Sequence, residues 1–104
     1  MENKEIREIQ WTPRSLTTYL SIIDYLDTNW SKKSVDKFIN ITKSKLNRIA
    51  DFPEMYHKVS GTKIRQALIT KQVILFYVFN DSTLTLLTFW DTRQNPENKE
   101  IIFT

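Results

Sequence analysis

Residues 62–96, TKIRQALITKQVILFYVFNDSTLTLLTFWDTRQNP, decide the fold, because they are the one region that reads as continuous β-sheet. Within them, positions 72–80 are nearly all β-branched, aromatic or leucine, as a strand covered on both faces would be. Asn80-Asp81-Ser82 interrupts that run with side chains that hydrogen-bond locally and tolerate turn dihedrals. β-rich sequence resumes over 83–91, so two runs around a short polar break predict an antiparallel hairpin. Residues 62–70 share this character and stop at Lys71-Gln72, which predicts a third strand and a three-strand antiparallel meander.

Upstream, Thr12-Pro13 is a helix start, with Thr as N-cap and Pro where its missing N–H costs nothing. Leu16, Tyr19, Leu20, Ile23, Leu26 and Trp30 recur at three- and four-residue steps and predict one buried stripe on a helix running to about residue 29. Ser31 caps a second helix whose stripe is Val35, Phe38, Ile39, Thr42, Leu46 and Ile49. Its lysines lie elsewhere, as a solvated face would place them. The very short link predicts an antiparallel helical hairpin. Phe52-Pro53 ends the second helix, because proline disfavours helix at the residue before it. Gly61, the sole glycine, marks a left-handed or tight turn. Before the helices, residues 5–11 alternate imperfectly and predict a short strand closing one side of the sheet. After Arg93, Gln94-Asn95-Pro96 reads as turn, and Ile101-Ile102-Phe103 as an apolar tail for the core or a partner. The expected class is α+β, one domain over 1–104 in the order β-α-α-β-β-β, with the helices segregated to one side of a mostly antiparallel sheet.

With 104 residues, 40% hydrophobic and 26% charged, the chain has the composition of a soluble globular domain. It has no cysteine and a single histidine, His57, which argues against disulfides, a thiol nucleophile or a dedicated zinc site. No apolar run approaches the ~20 residues that span a bilayer. The N-terminus is charged rather than signal-like, so a cytoplasmic location with no membrane partner is expected. One glycine cannot build a phosphate-cradling loop, and no cofactor is expected. His57 and Ser60 lack a nearby acid and do not make a hydrolase triad. The formal charge is +3, unevenly spread: no acid falls between Glu54 and Asp81, whereas His57, Lys58, Lys63, Arg65 and Lys71 do. Such a stretch is either solvated strand and loop ends or a positive surface for phosphate or an acidic protein segment.

The opening WTPRSL (11–16), IIDYLDTNW (22–30), FPEM (52–55), GTKIRQALI (61–69) and ILFYVFNDSTLTLLTFWDTRQNP (74–96), in this order and spacing, resemble the RelE/ParE superfamily of bacterial type II toxins. The resemblance implies a small growth-inhibiting toxin wrapped and neutralised by a cognate antitoxin. One branch of that superfamily resembles ribosome-dependent mRNA endonucleases, in which the RNA 2′-OH attacks the adjacent phosphate without a metal. The protein then supplies a base, cations and an acid. There the resemblance would set Arg65 against the phosphate, with Lys58 and Lys63 adding charge, Tyr77 or His57 moving protons and Arg93 holding a phosphate. That branch commonly carries a tyrosine or histidine near the end of the last strand. Trp90-Asp91-Thr92-Arg93 has neither, and Asp91 would repel phosphate. The other branch resembles ParE, which poisons DNA gyrase without catalysing a reaction. It asks for a strand arginine, as at Arg65, and an arginine close after the last strand, as at Arg93. The sequence fits this second branch better, with Lys58, Lys63, Arg65, Lys71, Trp90 and Arg93 as partner or nucleic-acid contacts. Trp90 would stack on a base, contact the antitoxin or join the core. A different class, a non-toxic peptide-binding module using exposed aromatics and the basic edge, is also compatible with the residues.

Overall fold

β1 (Glu8–Trp11), α1 (Pro13–Asn29), α2 (Lys32–Asp51), a single 3-10 turn (Pro53–Met55), β2 (Arg65–Leu68), β3 (Val73–Phe79) and β4 (Thr83–Asp91) follow one another in the computed structural model, which describes residues 7–94. The four strands form one sheet in the order β1-β4-β3-β2. β2, β3 and β4 make the expected antiparallel meander. β1 instead runs parallel to β4, so the sheet is mixed. The helical hairpin explains this. α1 carries the chain away in the direction of β1 and α2 brings it back, so β2 enters the sheet in the same sense as β1. Two further reversals give β4 that sense too. The apolar tail read at 101–103 lies outside the described residues.

Local chemistry sets the boundaries. The Thr12 side chain accepts from the Ser15 amide at 3.1 Å and Pro13 opens α1; the Ser31 hydroxyl accepts from the Ser34 amide at 3.1 Å and opens α2. Each satisfies one of the amides a helix start leaves unpaired. Between β3 and β4, Asn80 Oδ1 accepts from the amides of Ser82 and Thr83 at 2.9 and 2.8 Å, closing the polar break as an Asx-type turn. Gly61 has φ of +77°, the left-handed backbone expected of it, and lets the chain fold back so that the Val59 amide reaches the Ile64 carbonyl. The Tyr77–Leu86 and Phe76–Thr88 pairs leave Leu87 unopposed, a one-residue bulge that bends β4.

The buried face of α1 is rotated from the predicted stripe. Ser15, Ile22 and Leu26 are buried, whereas Leu16, Leu20 and Trp30 are 47%, 52% and 65% exposed. The cause is the edge of β4. β1 stops at Trp11, and beyond it the helix lies along β4 and takes over its hydrogen bonds. The Thr12 hydroxyl donates to the Leu86 carbonyl at 2.8 Å, with Leu87 O at 3.1 Å, and the Thr18 hydroxyl accepts from the Phe89 amide at 2.9 Å. Backbone groups at a sheet edge must be satisfied, and only small or hydroxylated residues allow this approach. The helix therefore turns Ser15 and Thr18 inward and Leu16 and Leu20 out.

α2 buries Phe38, Thr42, Leu46, Ile49 and Ala50, close to the predicted face. These meet Ala67, Ile69, Val73, Leu75, Tyr77, Leu84, Leu86 and Phe89 from one side of the sheet. Trp11, Tyr19, Phe38 and Phe89 form an aromatic cluster with centroid separations of 5.1 to 5.6 Å, within favourable stacking range. Among the described residues, no helix is long and apolar enough to cross a membrane.

Candidate partner-binding surface

The cations singled out in the sequence divide between the two ends of the sheet. Arg65 pairs with Tyr77 and Asp91 with Val73, four residues apart on β3. At ~3.4 Å per residue that separates the Arg65 end from the Arg93 end by roughly 13 Å.

At the Arg65 end, the problem to be solved is the exit from α2. A helix terminus leaves carbonyls without amide partners, and three side chains supply them. Arg7 donates to Ala50 O at 3.1 Å and to Asn80 O at 2.7 Å. The Tyr77 hydroxyl donates to Pro53 O at 2.7 Å, and Arg65 donates to Glu54 O and Tyr56 O at 3.3 and 2.6 Å. Both guanidiniums lie over the Phe79 ring, at 5.4 Å for Arg7 and 5.6 Å for Arg65, inside cation–π range.

This geometry corrects two expectations. Side chains alternate along a strand, so Arg65 shares the helix-covered face with buried Ala67 and Ile69 and holds the segment after α2 in place. Tyr77 is fully buried, and burial pushes its phenol up to about 12 against the pull of the nearby Arg65 charge. It cannot reach a substrate at the surface, so it is not placed to transfer a proton. His57, Lys58 and Lys63 are exposed on the loop entering β2; Lys58 bridges Arg65 and the His57 carbonyl accepts from the Gln66 amide. Trp90 stands opposite Ile74 on the other face of the sheet, half-buried. Tyr56, His57, Gln66, Leu68 and Ile74 line a shallow opening beside the β2 edge, of about 290 Å³.

At the other end, Lys71 and Arg93 come together. The Thr92 amide and hydroxyl both donate to the Gln72 carbonyl, at 2.8 and 3.1 Å, tying the end of β4 to the turn before β3. The tip of the helical hairpin closes over this corner and leaves a cavity of about 390 Å³, lined by Leu26, Trp30, Lys37, Phe38, Ile41, Lys71 and Arg93 among others. Asp91 does not face outward as a repelling charge. It is buried, and its carboxylate accepts from Arg93 Nε and the Arg93 amide at 3.0 Å each and from Gln94 Nε2 at 2.9 Å. The Arg93 guanidinium also lies over the Tyr25 ring at 5.2 Å. A buried carboxylate and an aromatic face thus fix the orientation of a cation that reaches the cavity.

Sequence reasoning missed Arg7, Lys37 and Trp30. Arg7 and Lys37 carry no local signal, since one precedes a strand and the other is one of many lysines on α2. Trp30 fits the period of α1, but it sits at the Asn-Trp-Ser break, where the helix axis ends and periodicity no longer specifies a direction. Among the described residues, no three His, Cys, Asp or Glu side chains converge as a metal site would require.

The family model of the ParE toxin of the type II toxin-antitoxin system parDE matches residues 9–96. No curated protein matches the sequence. Among solved structures, the chain is similar to the chromosomal ParDE system from P. aeruginosa, with TM-score 0.69 and 8% identity over 83% of this chain and 96% of that one. It is also similar to the YoeB dimer from Staphylococcus aureus, with TM-score 0.60 and 15% identity over 82% and 95%. The E. coli DinJ-YafQ toxin-antitoxin complex gives TM-score 0.54 and 16% identity over 86% and 97%. At such identities the structural likeness speaks for the fold.

Proposed function

The chain belongs to the ParE toxin family of type II toxin-antitoxin systems, and from that premise we propose that it arrests growth by binding DNA gyrase, catalyses no reaction itself, and is held inactive by a cognate antitoxin. The observation that carries this over RNA cleavage is the position of Tyr77. Cleavage through the RNA 2′-OH needs a base and an acid within hydrogen-bond reach of the scissile phosphate. Of the two groups the nuclease reading offers for proton transfer, Tyr77 and His57, the tyrosine is inside the protein, donating to Pro53 O, and burial pushes its phenol up to about 12. Arg65, the companion cation, is occupied with the carbonyls of Glu54 and Tyr56. The end of β4 supplies an indole, which is no acid–base group, and the Asp91 carboxylate there is already engaged by Arg93 and Gln94.

In this reading Lys58, Lys63, Lys71, Trp90 and Arg93, which all reach the surface at least in part, contact partners, and Arg65 positions the segment that follows α2. The test uses purified protein. Added to gyrase and plasmid with ATP, it is expected to block supercoiling and accumulate cleaved plasmid after denaturation, while mRNA on programmed ribosomes stays intact. Intact gyrase activity together with mRNA cut on the ribosome would overturn the proposal.

A further inference from the structure

α2 concentrates the charge of the molecule. Its 20 residues hold six cations and two acids, a net of +4 in a chain whose total is +3, so the sequence outside α2 is slightly acidic. Lys45 is drawn aside to donate to Leu68 O at 3.1 Å. At about 3.6 residues per turn, Lys33, Lys37, Asn40, Ser44, Asn47 and Arg48 fall on the side of the helix opposite buried Phe38, Thr42, Leu46 and Ile49. All six are exposed. Asp36 and Asp51 flank them, yet no ion pair within 4 Å joins either acid to a cation of the helix. Helix stability does not account for this arrangement. Lys32 and Lys33 stand in the first turn, where the helix dipole favours acids and the helix has none. Lys33 and Lys37 are also one turn apart, a spacing at which like charges repel.

We infer that the outer face of α2 binds the phosphate backbone of duplex DNA, independently of base sequence. Cations interspersed with amide and hydroxyl side chains are the groups that donate to phosphate oxygens. Other anionic partners fit less well. Every exposed residue of α2 is polar or charged. The face therefore offers no anchor for an acidic peptide, nothing to insert among lipids and no ring on which unpaired bases could stack. A helix about 10–12 Å across matches the B-form major groove, about 12 Å wide, whereas the A-form groove of duplex RNA is too narrow for it. From Lys33 to Arg48 the face extends ~22 Å, along which one DNA strand presents about six phosphates. The inference goes beyond the gyrase reading and does not need it, because the ligand is DNA alone.

The test is fluorescence anisotropy of the full chain with a labelled mixed-sequence DNA duplex of about 20 base pairs. Phosphate contacts by Lys33, Lys37 and Arg48 predict binding whose log K falls with log salt at a slope of about −3. Lys33→Gln combined with Lys37→Gln is expected to weaken binding about tenfold or more at ~0.1 M salt and to bring the slope to about −1. Thr17→Glu combined with Ser21→Glu, on α1, changes the net charge equally and should leave affinity within about twofold. All four positions are exposed, so folding is not at risk and circular dichroism can verify it. The comparison ligands are a thymidine oligonucleotide, an RNA duplex of the same length and phosphatidylserine vesicles. Absence of binding at low salt, an equal loss in the α1 variant, or tighter binding of a comparison ligand with the same residue dependence would each overturn the inference. Because the assay contains no gyrase, a negative result leaves the proposed function standing, and the reverse holds as well.

Discussion

Replacing Tyr77 by phenylalanine removes one oxygen from the most buried polar contact at the helix exit. The hydroxyl donates to Pro53 O at 2.7 Å from a residue with no exposed surface. Its loss leaves that carbonyl without this partner, which costs about 1–3 kcal/mol, whereas the ring packing is retained. For a domain of this size each 1 kcal/mol shifts the melting temperature by roughly 4–8 °C. Tyr77→Phe is therefore expected to melt ~5–20 °C lower, with an unchanged dependence on urea. A second signature is alkaline. The phenol titrates near the ordinary value of 10.0 when unfolded and at about 12 in the fold. The folded state thus holds the proton that the unfolded state releases. The stability this contributes is complete below pH 10 and is lost as pH rises through about 12, amounting to ~2–3 kcal/mol across that window. Urea titrations followed by circular dichroism at pH 8 and above pH 10 should show that slope in the parent protein and a flatter one in Tyr77→Phe. Growth arrest by the variant should persist at temperatures where it remains folded. A variant as stable as the parent yet non-toxic would refute the reasoning, because the hydroxyl would then act chemically rather than structurally.

Arg65→Ala removes the donor to Glu54 O and Tyr56 O and should destabilise by about 2–3 kcal/mol in urea titrations. Its toxicity should recover at lower growth temperature, whereas a well-folded, permanently inactive variant would make Arg65 a contact residue. Thr18→Val keeps the shape of the side chain but leaves the Phe89 amide without its acceptor, an expected cost of about 1–3 kcal/mol and faster amide exchange at Phe89. Gly61→Ala meets no atom within 4 Å, so its expected cost of ~1 kcal/mol comes from the φ of +77° alone. Asp91→Asn weakens the ion pair that orients Arg93, and it should lower stability by about 1–3 kcal/mol in urea titrations.

Read alone, the sequence determined the elements and their order, because caps, turn residues and hydrophobic period are local. Thr12-Pro13, Ser31, Asn80 and Gly61 each act on backbone within a few residues, and the structure keeps all four in their expected roles. Long-range geometry was not legible in the same way. That β1 lies parallel to β4 follows from how a two-helix crossover returns the chain, and that α1 turns Leu16 and Leu20 outward follows from a strand edge needing the hydroxyls of Thr12 and Thr18. Both depend on which backbone groups lack partners once the sheet has assembled, a property of no single segment. The same holds for the site. Charge is visible in a sequence, but whether an arginine serves a carbonyl inside or a partner outside is decided by what surrounds it. Arg65 and Arg93 differ in just that, one occupied with the exit of α2 and the other held at the rim of an apolar recess.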